Sequence, residues 1–430
     1  MSPLSLTVSI RWSRLALHMD VHDPYAALRL PDYRRYFIGN FASNFGLQMQ
    51  TVAVGWDIFE RTHESLALGL TGLAQFLPVV LLFLLAGHVA DRFPRRWIII
   101  CSQVLVGSAS IGLAIIYLTQ ADYRLIYVCL TAVGIARSFQ QPAKAAILPL
   151  LVPTEKFSNA VTWSSSGFHL ASVLGPAAGG LLIHWTGGPV AAYALDACCA
   201  VIFAICLWFT RPRPMEGAQR GLKLDELVAG FRFLKGHQVV LGALLLDLFA
   251  VLLGGAVALL PVFAAPEMLN VGASGLGWLR MSPALGALAV AILLAHRPPM
   301  SQAGVALLLS VAGFGLATVG FGLSRNFALS MLMLALTGAF DNVSVVIRHT
   351  LVQTNTPDQL RGRVSAVNSL FIGASNELGA FESGFVAHYF SPVVSVVSGG
   401  LGTLLVVIIT AIKLPRLRRY GRLGDVPHDE

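Results

Sequence analysis

Charge is what this chain has least of. Only 12% of its 430 residues are Asp, Glu, Lys or Arg, against 55% hydrophobic, and an apolar fraction that high has to face lipid. None of the five lysines (Lys144, Lys156, Lys223, Lys235 and Lys413) follows a glycine. That excludes a Gly-Lys phosphate loop, and with it an ATPase in this chain. The five cysteines (Cys101, Cys129, Cys198, Cys199 and Cys206) lie in apolar runs without metal or disulfide spacing. The eleven histidines form no His-Glu-x-x-His pattern, and there is no Gly-x-Ser-x-Gly elbow. Catalysis, a metal centre and a cofactor are therefore unsupported.

What the chain does have is apolar sequence in pieces near the ~20 residues that cross a bilayer. They fall at about 36–58, 66–89, 97–118, 125–146, 159–184 and 189–209, and again at about 239–263, 274–294, 303–323, 327–346, 364–389 and 393–412. The pattern predicts an all-α membrane protein with twelve transmembrane helices in two six-helix bundles. The domains would be a cytoplasmic tail (1–35), a bundle (36–209), a linker (210–238), a second bundle (239–412) and a tail (413–430). With the N-terminus inside, the inner segments hold 25 of the 30 Lys and Arg residues and the outer loops hold 3. This asymmetry predicts both termini in the cytoplasm. It also accounts for the formal net charge of +8 as topology rather than as a nucleic-acid surface.

No continuous apolar stretch follows Arg11 and Arg14, so no cleaved signal peptide is expected; translation from Met1 or from Met19 fits equally. In the linker, Leu224, Leu227, Val228, Phe231, Phe233 and Leu234 share one face, which predicts a short amphipathic helix on the inner membrane surface. The run Lys413-Leu-Pro-Arg-Leu-Arg-Arg reads as a basic membrane-surface anchor.

One plan occurs twice at an offset of 204 residues: Gly134 falls on Gly338, Lys144 on Arg348, Pro153 on Pro357, Gly175 on Gly379 and Gly180 on Gly384. Five matches at one offset point to duplication. A membrane chain built from two copies of one half is the signature of a secondary transporter.

Between the second and third spans stands Gly87-His-Val-Ala-Asp91-Arg92-Phe-Pro-Arg95-Arg96. It resembles the loop motif of the major facilitator superfamily, Gly-x-x-x-Asp-Arg-x-Gly-Arg-Arg, with Pro94 in place of the second glycine. Glycine would let helices approach closely, and Asp91 could cap a neighbouring helix and pair with an arginine, latching one conformation. Ala295-His-Arg-Pro-Pro, the counterpart in the second half, lacks the aspartate, so the gate is expected to be asymmetric. Gly175-Pro176-Ala-Ala-Gly179-Gly180 resembles the core of the superfamily's exporter motif, although Thr162 and Ala171 stand where that motif has further glycines. The block from Arg348 through Pro357 and Arg361-Gly362-Arg363 to Asn368 is similar to the branch that includes the enterobactin exporter and macrolide-efflux-type proteins. The resemblance spans about Tyr33 to Leu414 and implies the major facilitator fold, its bundles related by a pseudo-two-fold, alternating access and export.

Ionisable residues inside a membrane are costly and mark function. Asp341, Glu377, Asp247 and Glu382, in that order, are the candidates for proton coupling. Arg137 falls on Asp341 at the 204 offset, which is what a salt bridge across the pseudo-two-fold would look like. Asp57, Asp196 and Arg280 sit near helix ends and read as interfacial. Asn40, Asn44 and Gln48 repeat every four residues and so share a face suited to a water-filled centre, with Gln75, Asn368 and Asn376 as further lining candidates. The reading is a monomeric transporter in a bacterial inner membrane, exporting a small organic molecule by proton antiport. The resemblance puts a siderophore first and a drug or macrolide second, and a non-transporting receptor or scaffold is the remote alternative.

Overall fold

A computed structural model describes residues 23–213, 231–296 and 300–421. The first set of helices is α1 (Pro31–Thr62), α2 (Ser65–Arg92), α3 (Arg95–Leu118), α4 (Arg124–Leu151), α5 (Phe157–Thr186) and α6 (Val190–Trp208). The second is α7 (Gln238–Leu253), α8 (Gly272–Ala295), α9 (Ala303–Leu323), α10 (Phe327–Thr354), α11 (Asp358–Tyr389) and α12 (Pro392–Lys413). No strand occurs among the described residues.

Several helices outrun the expected spans. α1 begins at Pro31, whose missing N–H costs nothing in a first turn, and it ends where His63 turns left-handed at φ 52°. α5 ends at Gly187, φ 71°. The seventh expected span is broken: α7 stops before Gly254-Gly255, and a 3-10 turn (Ala256–Leu259) leads into a short helix (Leu260–Ala264) with Pro261 in its first turn. Two glycines and a proline account for the break.

Among the described residues nine candidate membrane spans meet both length and apolarity, and α1, α4 and α11 are not among them. Those three carry Asn40, Asn44, Gln48, Arg137, Glu377 and Glu382. Their polarity is the property that singled them out as site helices. Large apolar side chains such as Leu81, Val104, Leu118, Leu309 and Ile412 are exposed around the molecule, a surface that only lipid can cover.

The helix pairings repeat. Within the first set α1 packs on α5 and α6, α2 on α4, and α3 on α4 and α6. Each pairing recurs six helices later: α7 on α11 and α12, α8 on α10, α9 on α10 and α12. The sets join through α5 with α8 and α2 with α11, again a matched couple. Both joints are glycine contacts. A Cβ on Gly180 would meet Gly277 Cα at 2.8 Å, and a Cβ on Gly384 would meet Gly69 Cα at 2.7 Å, so the backbones touch with no side chain between them.

These joints lie toward one end. There, a single apolar cluster takes Ile58, Leu68 and Tyr193 from the first set and Leu260, Phe263 and Leu276 from the second. At the arginine-rich end the apolar residues form separate clusters, one around Ile99, Ile147 and Leu151 and another around Leu307, Ile347 and Leu351. Phe83 of α2 reaches a third, around Val364 and Val367 of α11.

The amphipathic linker helix falls largely outside the described residues, with 231–236 helical at its end. In the basic tail Leu417 is buried, and the Tyr420 and Gly421 carbonyls accept from the Gly304 and Ala303 N–H groups at 3.2 and 2.9 Å. The segment after α12 therefore caps the start of α9, while Lys413, Arg416, Arg418 and Arg419 stay exposed.

Candidate functional site

Where α2, α4, α8 and α11 converge, opposite charges meet across the two sets. Gly134 lets the Gln75 backbone press against α4. One turn on, Arg137 Nη1 donates to Gln75 Oε1 at 3.2 Å and lies 3.7 Å from Glu377 Oε1. On the other side, Gly72 faces the Glu377 carbonyl, 2.9 Å from where a Cβ would stand. Arg280 of α8 is also close enough to act on the Glu377 carboxylate. Glu377 thus pairs with Arg137 of the first set and feels the charge of Arg280 from its own set. Both members of the ion pair are partly open, with side-chain exposures of 32% and 25%, so a solute can reach them.

The expected pairing of Arg137 with Asp341 is not formed. Equivalence under a two-fold places two residues on matching turns of different bundles, which is not the same as placing them in contact. Arg280, expected near the interface, is instead part of the central cluster.

Asp341 lies inside the second set. With Asp247, Ser344, Val311, Phe314 and Phe340 it lines a small cavity between α7, α9 and α10. Asp247 pairs with Arg348, their side chains only 7% and 5% exposed. Among the described residues the Glu382 carboxylate accepts only from its neighbour, the Ser383 hydroxyl at 3.4 Å. The four carboxylates thus occupy three places.

Asp57 and Asp196, near the outer helix ends, are buried within the protein. Arg61 Nε donates to Asp57 Oδ1 at 2.6 Å and Tyr193 donates its hydroxyl to Oδ2 at 3.0 Å. Asp196 Oδ2 lies 2.5 Å from Ser110 Oγ, which accepts from Gln50 Nε2 at 2.9 Å.

In the loop motif, Gly87 has nothing within 4 Å of a Cβ position, so it serves no close approach. Asp91 forms no ion pair among the described residues, and its Oδ2 is buried without a partner. Burial raises its carboxyl above the ordinary value, opposed by the charges of Arg95 and His88. Arg95 and Arg96 instead donate to the carbonyls of Ala146 and Thr210, each at 2.8 Å. They tie α3 to the C-terminal ends of α4 and α6, where helix dipoles favour cations. Arg92 is exposed. In the exporter-like motif, Gly175 and Gly179 pack α5 on Phe45, Gln48 and Met49 of α1, while Gly180 and the Pro176 carbonyl face Gly277 of α8.

Of the lining candidates, Asn40, Asn44 and Gln48 are half-buried, and Gln48 donates to Ser172 of α5 at 3.2 Å. Asn368 Oδ1 is buried without a partner, while Asn376 is exposed and donates to the Ile372 carbonyl of its own helix.

A lipid-facing helical molecule whose two sets meet around charged residues has the architecture of a membrane transporter. The family model described as "Transmembrane secretion effector" matches residues 22–422. The chain belongs to this family of the major facilitator superfamily. It is 30% identical over 395 residues to the enterobactin exporter EntS of Shigella boydii serotype 18 and to that of Escherichia coli O81, covering 91% of this chain and 93% of each relative. Among solved structures, the D-xylose-proton symporter superposes with a TM-score of 0.69 at 13% identity, over 90% of this chain and 99% of that one. A bacterial homologue of the human lysosomal transporter Spinster, inward-facing and occupied, gives 0.67 at 16%, over 93% and 98%. At such identities these structures establish the fold alone. The protein is a multi-pass membrane transporter of small molecules and not an enzyme.

Proposed function

We propose that the chain exports an anionic small molecule, a siderophore, from a bacterial cytoplasm by proton antiport and alternating access. All twelve helices span the inner membrane as two bundles related by a pseudo-two-fold, the arginine-rich end and both termini are cytoplasmic, and the working unit is a monomer. The observation that carries this reading is the cluster of Arg137, Arg280 and Glu377 between the two sets. A catecholate or hydroxamate that replaces the Glu377 carboxylate on the two arginines breaks an ion pair joining the halves, and so acts on the equilibrium between their arrangements. The 30% identity to enterobactin exporters supports the same substrate class. Apart from the contact of Phe83 with α11, the apolar clusters at the arginine-rich end belong to one set or the other, which supports a state open to the cytoplasm. Protons enter on the return stroke through a carboxylate of the second bundle, with Asp341 first.

The test is export from intact cells under iron starvation, comparing a deletion strain with strains complemented by wild type, Arg137→Gln and Asp341→Asn. Accumulation of the siderophore inside the deletion strain, rescued by wild type and by neither variant at equal membrane levels, is the expected result. Full rescue by Arg137→Gln would remove the substrate role of the cluster, and full rescue by Asp341→Asn the coupling role. Unchanged siderophore secretion with raised sensitivity to macrolides or dyes would replace a siderophore with a drug.

A further inference from the structure

At the arginine-rich end α3 begins where α6 ends, and the two helices pack on each other. Trp97 and Trp208 meet there edge to face, ring centres 5.1 Å apart, and both remain exposed. They stand at matching ends of two candidate spans, Arg95–Leu118 and Val190–Trp208, which is the depth of lipid headgroups. Cations gather beside them. The Arg96 guanidinium lies 5.0 Å from the centre of the Trp97 ring, and its Nη1 donates to the Thr210 carbonyl at 2.8 Å. Arg211, the next residue, is exposed, and its backbone N–H donates to Asp32 Oδ1 at 3.2 Å. Asp32 also pairs with Arg35, whose Nη1 donates to the Phe209 carbonyl at 3.0 Å. Three arginines thus meet on the three successive residues 209–211. Asp32 answers Arg35 alone, and among the described residues Arg96 and Arg211 have no ion pair.

We propose that this corner binds the headgroup of an anionic phospholipid, its phosphate on Arg96 and Arg211 and its acyl chains along the joined faces of α3 and α6. Guanidinium groups fit phosphate oxygens in pairs of hydrogen bonds, and Arg96 spends only Nη1 on Thr210. Its contacts with that carbonyl and with the Trp97 ring hold it in place, so little freedom is lost on binding. The faces that continue from the tryptophans into the membrane are apolar and exposed, with Val104 and Ile111 on α3 and Val201 and Ile205 on α6. A zwitterionic headgroup carries its own cation and leaves the excess positive charge of the corner standing, whereas an anionic one cancels part of it. The repeat supplies an internal comparison. At the 204 offset Arg96, Trp97 and Trp208 fall on Met300, Ser301 and Ile412, although α9 and α12 pack together as α3 and α6 do. The helix pairing therefore does not itself require the tryptophans and the arginine. A lipid held here ties the start of α3 to the segment after α6 and stabilises the first set, independently of what the protein carries.

The test unfolds the purified protein thermally in detergent with added phosphatidylglycerol or, at the same lipid content, phosphatidylethanolamine. Phosphatidylglycerol should raise the wild-type midpoint by roughly 2 °C or more beyond phosphatidylethanolamine. The double variant Arg96→Gln, Arg211→Gln should lose that difference. Arg418→Gln with Arg419→Gln, which removes two exposed cations from the tail after α12, should keep it. Equal shifts from the two lipids, or a difference that the Arg96 and Arg211 variant retains, would overturn the site. An equal loss in the tail variant would also overturn it, because the effect would then be a general attraction to a basic end. Fluorescence covers the case in which the arginine variant does not fold. Brominated phosphatidylglycerol should quench tryptophan emission more than brominated phosphatidylethanolamine, and Trp97→Phe with Trp208→Phe, which keeps both arginines, should abolish the excess. No excess in wild type, or an excess that survives in this variant, would place the lipid elsewhere and overturn the proposal.

Discussion

Lys144 and Arg348 stand 204 residues apart on matching turns of α4 and α10, and they meet different surroundings. Lys144 places its Nζ 5.0 Å from the centre of the Phe203 ring, a cation–π contact, with no carboxylate partner among the described residues. Arg348 is locked to Asp247 in the buried interior of the second set. The glycines of the repeat, by contrast, do the same work twice. Gly134 seats α2 on α4 and Gly338 seats α8 on α10; Gly175 and Gly179 hold α1 while Gly379 holds α7; Gly180 and Gly384 form the two joints between sets. The repeat keeps its backbone contacts while its charged residues differ. Packing is a demand on both sets, because the same pairs of helices must close.

The joints test the conserved side of that comparison and carry the largest expected effect. Gly180→Leu and Gly384→Leu push side chains into opposing backbone, and each should cut export roughly tenfold or more. Export normalised to folded protein in the membrane is the readout. A large loss in one variant and none in the other would show that the two joints are not equivalent. The diverged side comes next. Arg348→Ala leaves Asp247 buried and unpaired and should destabilise by about 3–5 kcal/mol, measured by unfolding of the purified protein in detergent. Arg61→Ala exposes the same principle in the first half by stranding Asp57, with the Tyr193 hydroxyl left as a partial substitute; a smaller loss, about 2–3 kcal/mol, is expected. Lys144→Ala removes only a cation–π contact and should cost about 1–2 kcal/mol. Equal losses for Lys144→Ala and Arg348→Ala would erase the asymmetry. The smallest effect belongs to Arg96→Ala, which frees one carbonyl beyond α6 and should cost about 0.3–1 kcal/mol.

Much of the site could be read from the chain before folding, but not its pairings. The intramembrane carboxylates and Arg137 stand out because ions in apolar runs are rare. Which of them meet was hidden, since Arg137 and Glu377 lie 240 positions apart and come together only through the α2–α4 and α2–α11 contacts. The surroundings of Asp196 and Arg280 were hidden for a related reason: distance along a helix measures depth, while burial also depends on which neighbours cover that depth. Ser344 gave no signal at all. A serine in a membrane helix is ordinary, and only its place beside Asp341, its Oγ buried without a hydrogen-bond partner among the described residues, makes it notable.

The sequence alone determined what is set locally or by repetition: helices from apolar length, the family from its motifs, and the duplication from five residues at a constant offset. It also marked α1, α4 and α11 by their polarity, since a polar residue in lipid is costly wherever the helix comes to lie. Only the tertiary structure decided that Glu377 pairs with Arg137 and feels the charge of Arg280, that Asp91 has no ion partner among the described residues, and that Asp341 shares a pocket with Asp247. Those are contacts between distant segments. Electrostatic interactions and hydrogen bonds depend on separations of a few ångströms, which the order of residues along a chain does not specify.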